Sequence, residues 1–298
     1  IYKDVFAIAG LVGKKSESEK FAGGVVTLTY EMLMPDGKVL QGCTSHDLGQ
    51  NFSKVLDIKF QDEKGINQYV WQNSWGFSTR SIGALILTQG DDSGLVLPSK
   101  LAPIKAVIIP ILGKKDSEII KYCRKIKEEI EKKQSEFPGE IEVLEDSEKT
   151  FGWKVNEAEI KGVPIRISVG TRELYDRTLT INDRIGQTKD KLVRIGDIAE
   201  TLENLLLQIQ KTMYKNSGRF LKENTHEAET YEEFKKIMET KRGFLKAFWC
   251  EDPDCEAKIK KETKATTRVK PLDARKEKGK CIYCGKKANH KWFFAQAY

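Results

Sequence analysis

Four of the six cysteines stand in two pairs near the end of the chain: Cys250 and Cys255 as C-x4-C, Cys281 and Cys284 as C-x2-C, with 25 residues between the pairs. Two short loops of this kind can bring four thiolates onto one tetrahedral ion. Zinc takes four sulfurs readily and then has no position left for water, so the predicted site is structural and not hydrolytic. Four free thiols or two disulfides are the alternative uses of the same residues. His290 is an alternative fourth ligand, although its place beside Lys291 fits a surface role better. Cys43 and Cys123 stand apart from the pairs, and Cys123 falls in a helical pattern where a cysteine acts as a small buried hydrophobe.

A second concentration of chemistry is QGCTSHDLGQNF (residues 41–52), which holds His46, one of three histidines. It offers donors, acceptors and an imidazole on what reads as one short connection between two strands, and Gly42 and Gly49 allow tight turns or close ligand approach. Next comes NSWGFSTR (73–80), where Trp75 and Gly76 sit among Ser74, Ser78 and Thr79, and Arg80 stands where a helix is expected to start. A guanidinium at a strand-to-helix junction suits a phosphate or a planar ring, gripped by two hydrogen bonds or stacked. GDDSGL adds Asp91 and Asp92 near a glycine turn, a pattern that serves equally well to end a helix. Singly, each feature has an ordinary reading: a solvent-facing histidine, a surface ion pair, a turn. His226, in the polar run KENTHEAET, reads as solvated. Together they describe a polar site beside an arginine in an antiparallel sheet.

Three regions must position these residues. In the first, GGVVTLTYEMLM, VLDIKFQD and NQYVWQNSWG are rich in strand formers and separated by the turn signals PDGK and DEKG, which predicts an antiparallel sheet followed by a helix over 81–89. The second opens on KAVIIPIL, a continuous apolar run suited to a strand buried on both faces. A charged helix over 116–133, a strand EIEVLED (140–146) and the alternating strand 165–169 follow, which together predict a small α/β domain. Its last helix carries Ile195, Ile198, Leu202, Leu205, Ile209 and Met213 on one face and is expected to end near Gly218. The third region reads as a short helix over 231–240, the strand-like GFLKAFWC, the cysteine pairs and the aromatic finish KWFFAQAY. The fold class expected is α/β in the broad sense (α+β), with domains over 1–102, 103–202 and 203–298.

Composition bounds the function. With 39% hydrophobic and 9% aromatic residues in 298, the chain can build a packed core and is not disordered throughout. No apolar run reaches the ~20 residues of a membrane span, and no secretory signal precedes the cysteines, which favours a reducing compartment and a metal over a disulfide framework. A net charge of +7 is a mild excess. It fits a polyanionic partner, nucleic acid being the commonest, and also a basic protein without one. The chain begins with Ile1 inside what reads as a strand, so a preceding amino-terminal part is expected.

The pieces KFAGG (20–24), QGCTSHDLGQNFSK, YVWQNSWGFSTRSIGALILTQGDDSGLVLPSKLAPIKAVIIPIL and GWKVNEAEIKGVPIRISVGTREL, with the cysteine pairs and the terminal Tyr298, resemble prolyl-tRNA synthetases of the archaeal and eukaryotic type, which are class II synthetases. The likeness runs along essentially the whole chain. It is specific, because TSH-x-LGQNF and WG-x-STR-x-IGA do not belong to the sibling synthetases for threonine, serine or histidine. The resemblance implies that the first domain is the carboxy-terminal half of a class II catalytic core, the second an anticodon-binding domain and the third a zinc-containing domain.

It further implies that Gln41, Thr44, Ser78 and Arg80 hold ATP, Arg80 being the arginine of the third class II motif. His46, Ser74, Trp75 and Gly76 would form the proline pocket, with the aromatic face of Trp75 against the pyrrolidine ring. Glu157, Glu159, Lys161, Arg166 and Arg172 lie on anticodon-contacting motifs, where carboxylates accept from base amino groups and cations donate to guanine edges. Cys250, Cys255, Cys281 and Cys284 would hold structural Zn²⁺, and the Tyr298 carboxylate would point back toward the catalytic domain. The implied reaction activates proline with ATP and Mg²⁺ and transfers it to tRNA(Pro). It works by positioning and charge stabilisation and uses no nucleophilic side chain. The family's enzymes are cytoplasmic, commonly homodimeric and not membrane-bound.

The family's first two signature motifs lie before the point matching Ile1. A carboxy-terminal fragment, holding part of an active site and inactive in proline activation by itself, is therefore the expectation. The alternative is a non-catalytic tRNA-binding protein derived from a synthetase, although such a protein has no need of an adenylate pocket. A zinc-stabilised nucleic-acid-binding module of other ancestry would leave the first hundred residues unexplained.

Overall fold

The computed structural model describes residues 1–113, 115–133 and 135–298. The chain divides into two compact units, one made of Ile1–Ile8 with Thr88–Ser217 and the other of Ala9–Leu87 with Gly218–Tyr298. Its opening stretch supplies β1 (Gly10–Lys14), β2 (Val26–Leu33), β3 (Val39–Gly49), α1 (Asn51–Val55), β4 (Lys59–Gln61), β5 (Asn67–Tyr69), β6 (Gln72–Gly76) and α2 (Arg80–Gln89). The middle stretch supplies β7 (Ile104–Pro110), α3 (Asp116–Glu131), β8 (Glu140–Val143), α4 (Phe151–Ile160), β9 (Ile165–Val169), α5 (Thr171–Asp176), β10 (Thr178–Asp183), β11 (Lys191–Arg194) and α6 (Ile198–Glu223). The last stretch adds β12 (Thr225–Glu227), α7 (Tyr231–Thr240), β13 (Phe244–Trp249), α8 (Pro253–Thr263), β14 (Ala265–Pro271), β15 (Gly279–Lys280), β16 (Lys287–Ala288) and β17 (His290–Gln296).

The unit built mainly from the middle stretch is an α/β layer. Its sheet runs β11-β10-β9-β7-β8, with β7 parallel to β8 and β9, and β10 antiparallel to β9 and β11. The unbroken apolar run of β7 has a simple cause. Ala106 and Ile108 pack into a core with Ile119, Cys123 and Ile126 of α3 and Leu202 and Leu205 of α6, while Val107 and Ile109 pack with Ala158 of α4 and Val163. A strand covered on both faces has no polar side to show. Cys123 is fully buried, and burial pushes its thiol up to about 12, as befits an inert packing residue. The strand expected over 140–146 stops at Val143, and Asp146 instead accepts the Glu148 N–H in a local turn.

Asp91 does more than close a turn. Its carboxylate accepts from both terminal nitrogens of Arg184 at 2.6 and 2.7 Å, while Arg184 Nε donates to the Glu159 carbonyl. The Arg184 hydrogen bonds hold the Asp91 carboxyl below its usual range. A carboxylate whose folded pKa is depressed stabilises the fold above its unfolded value of about 3.9, and that contribution is lost as pH falls through the folded pKa. Asp91→Asn is therefore expected to lower the thermal midpoint of this unit near neutral pH, with the gap from wild type closing as pH falls below the unfolded value of about 3.9 and through the lowered folded pKa. A gap that stays constant with pH would show that the charge is not what matters.

The second unit is built on one eight-stranded sheet, ordered β12-β13-β17-β14-β1-β2-β3-β6 and antiparallel except for β12 with β13. Strands from both ends of the chain meet in it where β1 pairs with β14, at Gly13 with Pro271 and Lys14 with Lys270. The polar stretch read as a connection is the strand β3, paired with β2 on one side and β6 on the other. Of VLDIKFQD only Lys59–Gln61 is a strand, and it pairs with β5 in a small separate hairpin.

The helix α6 does not end at Gly218 but continues to Glu223. A glycine inside a helix costs about 1 kcal/mol. Beyond it Phe220 and Leu221 pack against a core of Leu33, Val39, Phe244 and Phe293, which outweighs that cost. His226 is not solvated but half-buried on β12; burial, and then the Lys241 charge, lower its pKa. The last residue returns to the start of β3, where Tyr298 N–H faces the Val39 carbonyl at 3.4 Å and Lys38 lies 4.9 Å over the Tyr298 ring.

Candidate functional site

The candidate site is built on β2, β3 and β6. Residues directly opposite one another in an antiparallel pair project to the same face. Thr27 pairs with His46, Thr29 with Thr44 and Glu31 with Gln41. Between the last two pairs β3 bulges, with Gly42 and Cys43 opposite Tyr30 alone. Gln41 and Thr44 are three apart, so simple alternation would send them to opposite faces; the bulge brings them to one. On the other side Ser74 pairs with His46 and Gly76 with Thr44. One face thus carries Gln41, Thr44, His46, Ser74 and the side-chain-free Gly76.

His46 is fixed on that face by hydroxyls. Its Nδ1 lies 2.9 Å from Thr27 Oγ1 and its Nε2 2.9 Å from Thr44 Oγ1. Thr27 Oγ1 also accepts the Phe21 N–H at 3.0 Å, and the Phe21 ring stands 4.8 Å from the imidazole. Sequence reasoning assigned Thr27 and Phe21 no role. Their signal was available only in part, since KFAGG contributes to the resemblance but nothing in its composition points to a ring packed on a histidine.

Arg80 is the first residue of α2, whose first turn has no acidic side chain. It is exposed, and its Nη1 reaches the Gln41 carbonyl at 3.5 Å. No carboxylate among the described residues pairs with it, so the guanidinium is free to meet an anion beside Gln41 and Thr44, at a helix N-terminus that also favours negative charge. Ser78 lies in the turn that starts α2, its carbonyl accepting the Ser81 N–H at 3.0 Å.

Trp75 is placed differently from its neighbours. It pairs with Ser45, one residue out of step with His46, and so projects from the opposite face, 77% exposed. A cleft of about 570 Å³ is lined by Lys14, Val26, Leu28, Ser45, Asp47 and Asn73 of that face and also by His46. The aromatic ring that stands beside His46 is Phe21.

In the α/β unit, Glu157, Glu159 and Lys161 lie on or just past α4, Arg166 on β9 and Arg172 on α5. The structure pairs them: Glu159 with Arg166 at 2.7 Å, Glu157 with Lys161 at 3.1 Å, and Arg172 with Glu173 at 2.9 Å. Glu173, not singled out in the sequence, is buried and closes the start of α5 by accepting the Gly170 N–H. Burial acts to raise its carboxyl, and the backbone N–H bonds with the Arg172 guanidinium outweigh this and hold it low.

The four cysteines of the two pairs come together. Their sulfurs all lie within 4.8 Å of one another, with Cys250 and Cys284 3.7 Å apart. Zinc–sulfur bonds of ~2.3 Å give a tetrahedron with edges of about 3.8 Å, whereas a disulfide would need ~2.0 Å. The donor set therefore fits a tetrahedral zinc ion. Cys255 sits in the first turn of α8, which Asp252 caps through the Asp254 N–H. Cys281 and Cys284 flank a knuckle closed by Cys281 N–H to the Lys286 carbonyl and Gly285 N–H to the Cys281 carbonyl. Gly285 holds φ +71, a conformation side chains rarely adopt. His290 is not in the cluster and instead faces Glu251 at 3.3 Å.

A family model described as "Prolyl-tRNA synthetase, C-terminal" matches residues 231–298, and one described as "Anticodon binding domain" matches residues 105–205. Curated relatives named proline--tRNA ligase are found in Natranaerobius thermophilus, 44% identical, and in Rubrobacter xylanophilus, 45% identical; each alignment covers 100% of this chain and 62% of the relative. The crystal structure of prolyl-tRNA synthetase from Cryptosporidium parvum complexed with L-proline and AMP matches with a TM-score of 0.91 at 36% identity, covering 100% of this chain and 63% of that one. The chain thus spans a little over three fifths of the length of these relatives.

Proposed function

On the premise that the chain belongs to the prolyl-tRNA synthetases as their carboxy-terminal portion, we propose that it forms part of a proline–tRNA ligase. The observation that carries this reading is the single face that gathers Gln41, Thr44, His46, Ser74 and Gly76 beside Arg80, which has no carboxylate partner among the described residues. On it, Gln41, Thr44, Ser78 and Arg80 hold ATP, which enters as its Mg²⁺ complex. His46, Ser74 and Gly76 line the proline pocket, with Trp75 contributing backbone between the last two and Phe21 supplying the ring.

A carboxylate oxygen of proline attacks the α-phosphorus and pyrophosphate leaves; a ribose hydroxyl of the 3′-terminal adenosine of tRNA(Pro) then attacks the prolyl carbonyl and AMP leaves. The residues act by alignment and by matching charge that builds on the phosphate; Arg80, with no carboxylate partner among the described residues, supplies that charge. Glu157, Glu159, Lys161, Arg166 and Arg172 are the anticodon-contacting set, in a unit that the anticodon-binding model matches. The three domains over 1–102, 103–202 and 203–298 are the functional division on this reading. When bound, Zn²⁺ at Cys250, Cys255, Cys281 and Cys284 supplies structural cross-linking. No helix among the described residues is long and apolar enough to cross a membrane, and a cytoplasmic homodimer is the form this reading implies.

The test is amino-acid-dependent ATP–pyrophosphate exchange by the full-length product of the reading frame, with each of the twenty amino acids. Exchange with proline alone is expected. Silence with all of them would favour a tRNA-binding protein that retains the pocket without using it.

A further inference from the structure

The face that carries Gln41 and Thr44 continues to Glu31, where a closed set of donors surrounds one carboxylate. Lys15 Nζ lies 2.8 Å from Glu31 Oε1, both side chains at most 1% exposed. The Thr29 hydroxyl donates to the same oxygen at 2.7 Å, and Arg268 donates to Oε2 from Nε at 3.0 Å and Nη2 at 2.8 Å. Such a buried ionic cluster is weak evidence for stability, because apolar groups of the same volume often serve as well or better. Its location is more informative. Glu31 and Thr29 form the two rungs, with Gln41 and Thr44, that bracket the bulge in β3. A strand that slips by one residue sends its side chains to the other face, and the bulge is the feature that keeps these two together.

The cations come from two further strands. Lys15 follows β1, and Arg268 is itself the bulged residue of β14, between Thr267 paired with Phe294 and Val269 paired with Phe293. A bulge re-aims its side chain, and here the guanidinium reaches Glu31 with β1 lying between the two strands. The sequence neighbours of the cations are anchored in turn. Ser16 donates to both oxygens of the buried Glu256 of α8, and Thr267 donates to Glu256 from its hydroxyl and its N–H.

We propose that Glu31, gripped by Arg268 and Lys15, is a positioning residue for the ATP-holding strand, fixing the β3 bulge in the register that turns Gln41 and Thr44 to one face. The proposal rests on the ligase reading. It makes ATP binding depend on Arg268, 224 residues from Thr44 in sequence.

The experiment is steady-state ATP–pyrophosphate exchange on the full-length synthetase with Arg268→Gln, Arg268→Lys and Thr29→Val. Arg268→Gln leaves Lys15 and Glu31 as a neutral pair. It is expected to raise KM for ATP about tenfold or more while KM for proline stays within about threefold, and Arg268→Lys to recover most of that loss. Should Arg268→Gln fail to fold, Thr29→Val decides alone: it keeps all the charges, removes only the hydroxyl link, and must show the same selective rise. Equal changes in both KM values, or a loss of kcat alone, would mean a merely structural role and overturn the proposal. Wild-type enzyme without proline-dependent exchange would instead overturn the ligase reading, and this proposal with it.

Discussion

If the chain is part of a proline–tRNA ligase as proposed, replacing Arg80 with alanine in the full-length product of the reading frame is expected to lower proline-dependent exchange by roughly 10²–10³-fold, a loss of about 3–4 kcal/mol from the activated complex. The expectation follows from what Arg80 lacks. It is exposed, makes one long contact to a carbonyl and has no acidic partner among the described residues, so the fold gives it little to do. Its place at the start of α2, next to the strand that carries Gln41 and Thr44, sets its charge where a phosphate would lie. Thermal unfolding should therefore be nearly unchanged while exchange collapses. Arg80→Lys should recover only part of the activity, because an ammonium cannot make the two parallel hydrogen bonds of a guanidinium. Near-normal exchange by the alanine variant would remove Arg80 from the ATP site, and a matched fall in stability and activity would make it a structural residue.

Features fixed by local spacing were legible in the sequence. The cysteine cluster follows from two short loops, and the structure assembles all four sulfurs. The continuous apolar run of β7 announced a strand covered on both faces, and the structure covers both. Arg80 was expected at a helix start and is there. Features fixed by pairing with distant strands were not legible. QGCTSHDLGQNF looks like a connection because one face of β3 lines a polar site and the other is also partly polar, so the hydrophobic alternation that marks a half-buried strand is missing. The common face of Gln41 and Thr44 depends on a bulge measured against β2, which no one-strand pattern can show. Trp75 is next to Ser74 in sequence and on the opposite face in space, a difference that the register with β3 decides. Gly218 carries a helix-ending signal that a tertiary contact of Phe220 and Leu221 overrides.

The other large effect is expected from Cys281→Ser. Cys281 is 3% exposed and belongs to the core that includes Trp249, Trp292 and Phe294. Burial pushes the Cys250 thiol up to about 11 and raises Cys255 further, whereas at Cys284 burial is outweighed by hydrogen bonds from the Lys286 backbone and the neighbouring thiols, which lower the thiol. A serine hydroxyl is a poor ligand for zinc, and with three sulfurs left the bound metal should fall from about one equivalent per chain toward none. Because metal binding at such a site is also folding free energy, the surrounding core should loosen. The edge-to-face pair of Trp249 and Trp292, 5.0 Å apart, gives a direct reading as a red-shifted emission. The loosening should also reach β14, since Cys255 is followed by Glu256, whose carboxylate accepts the Thr267 N–H and the Ser16 hydroxyl; amide protection at Thr267 should drop. Residues 105–205 form their own core and should keep their protection and their unfolding transition. Unchanged metal content would mean that the ligand set is wrong, and a collapse of the α/β unit along with the cluster would mean that the two cores do not stand independently.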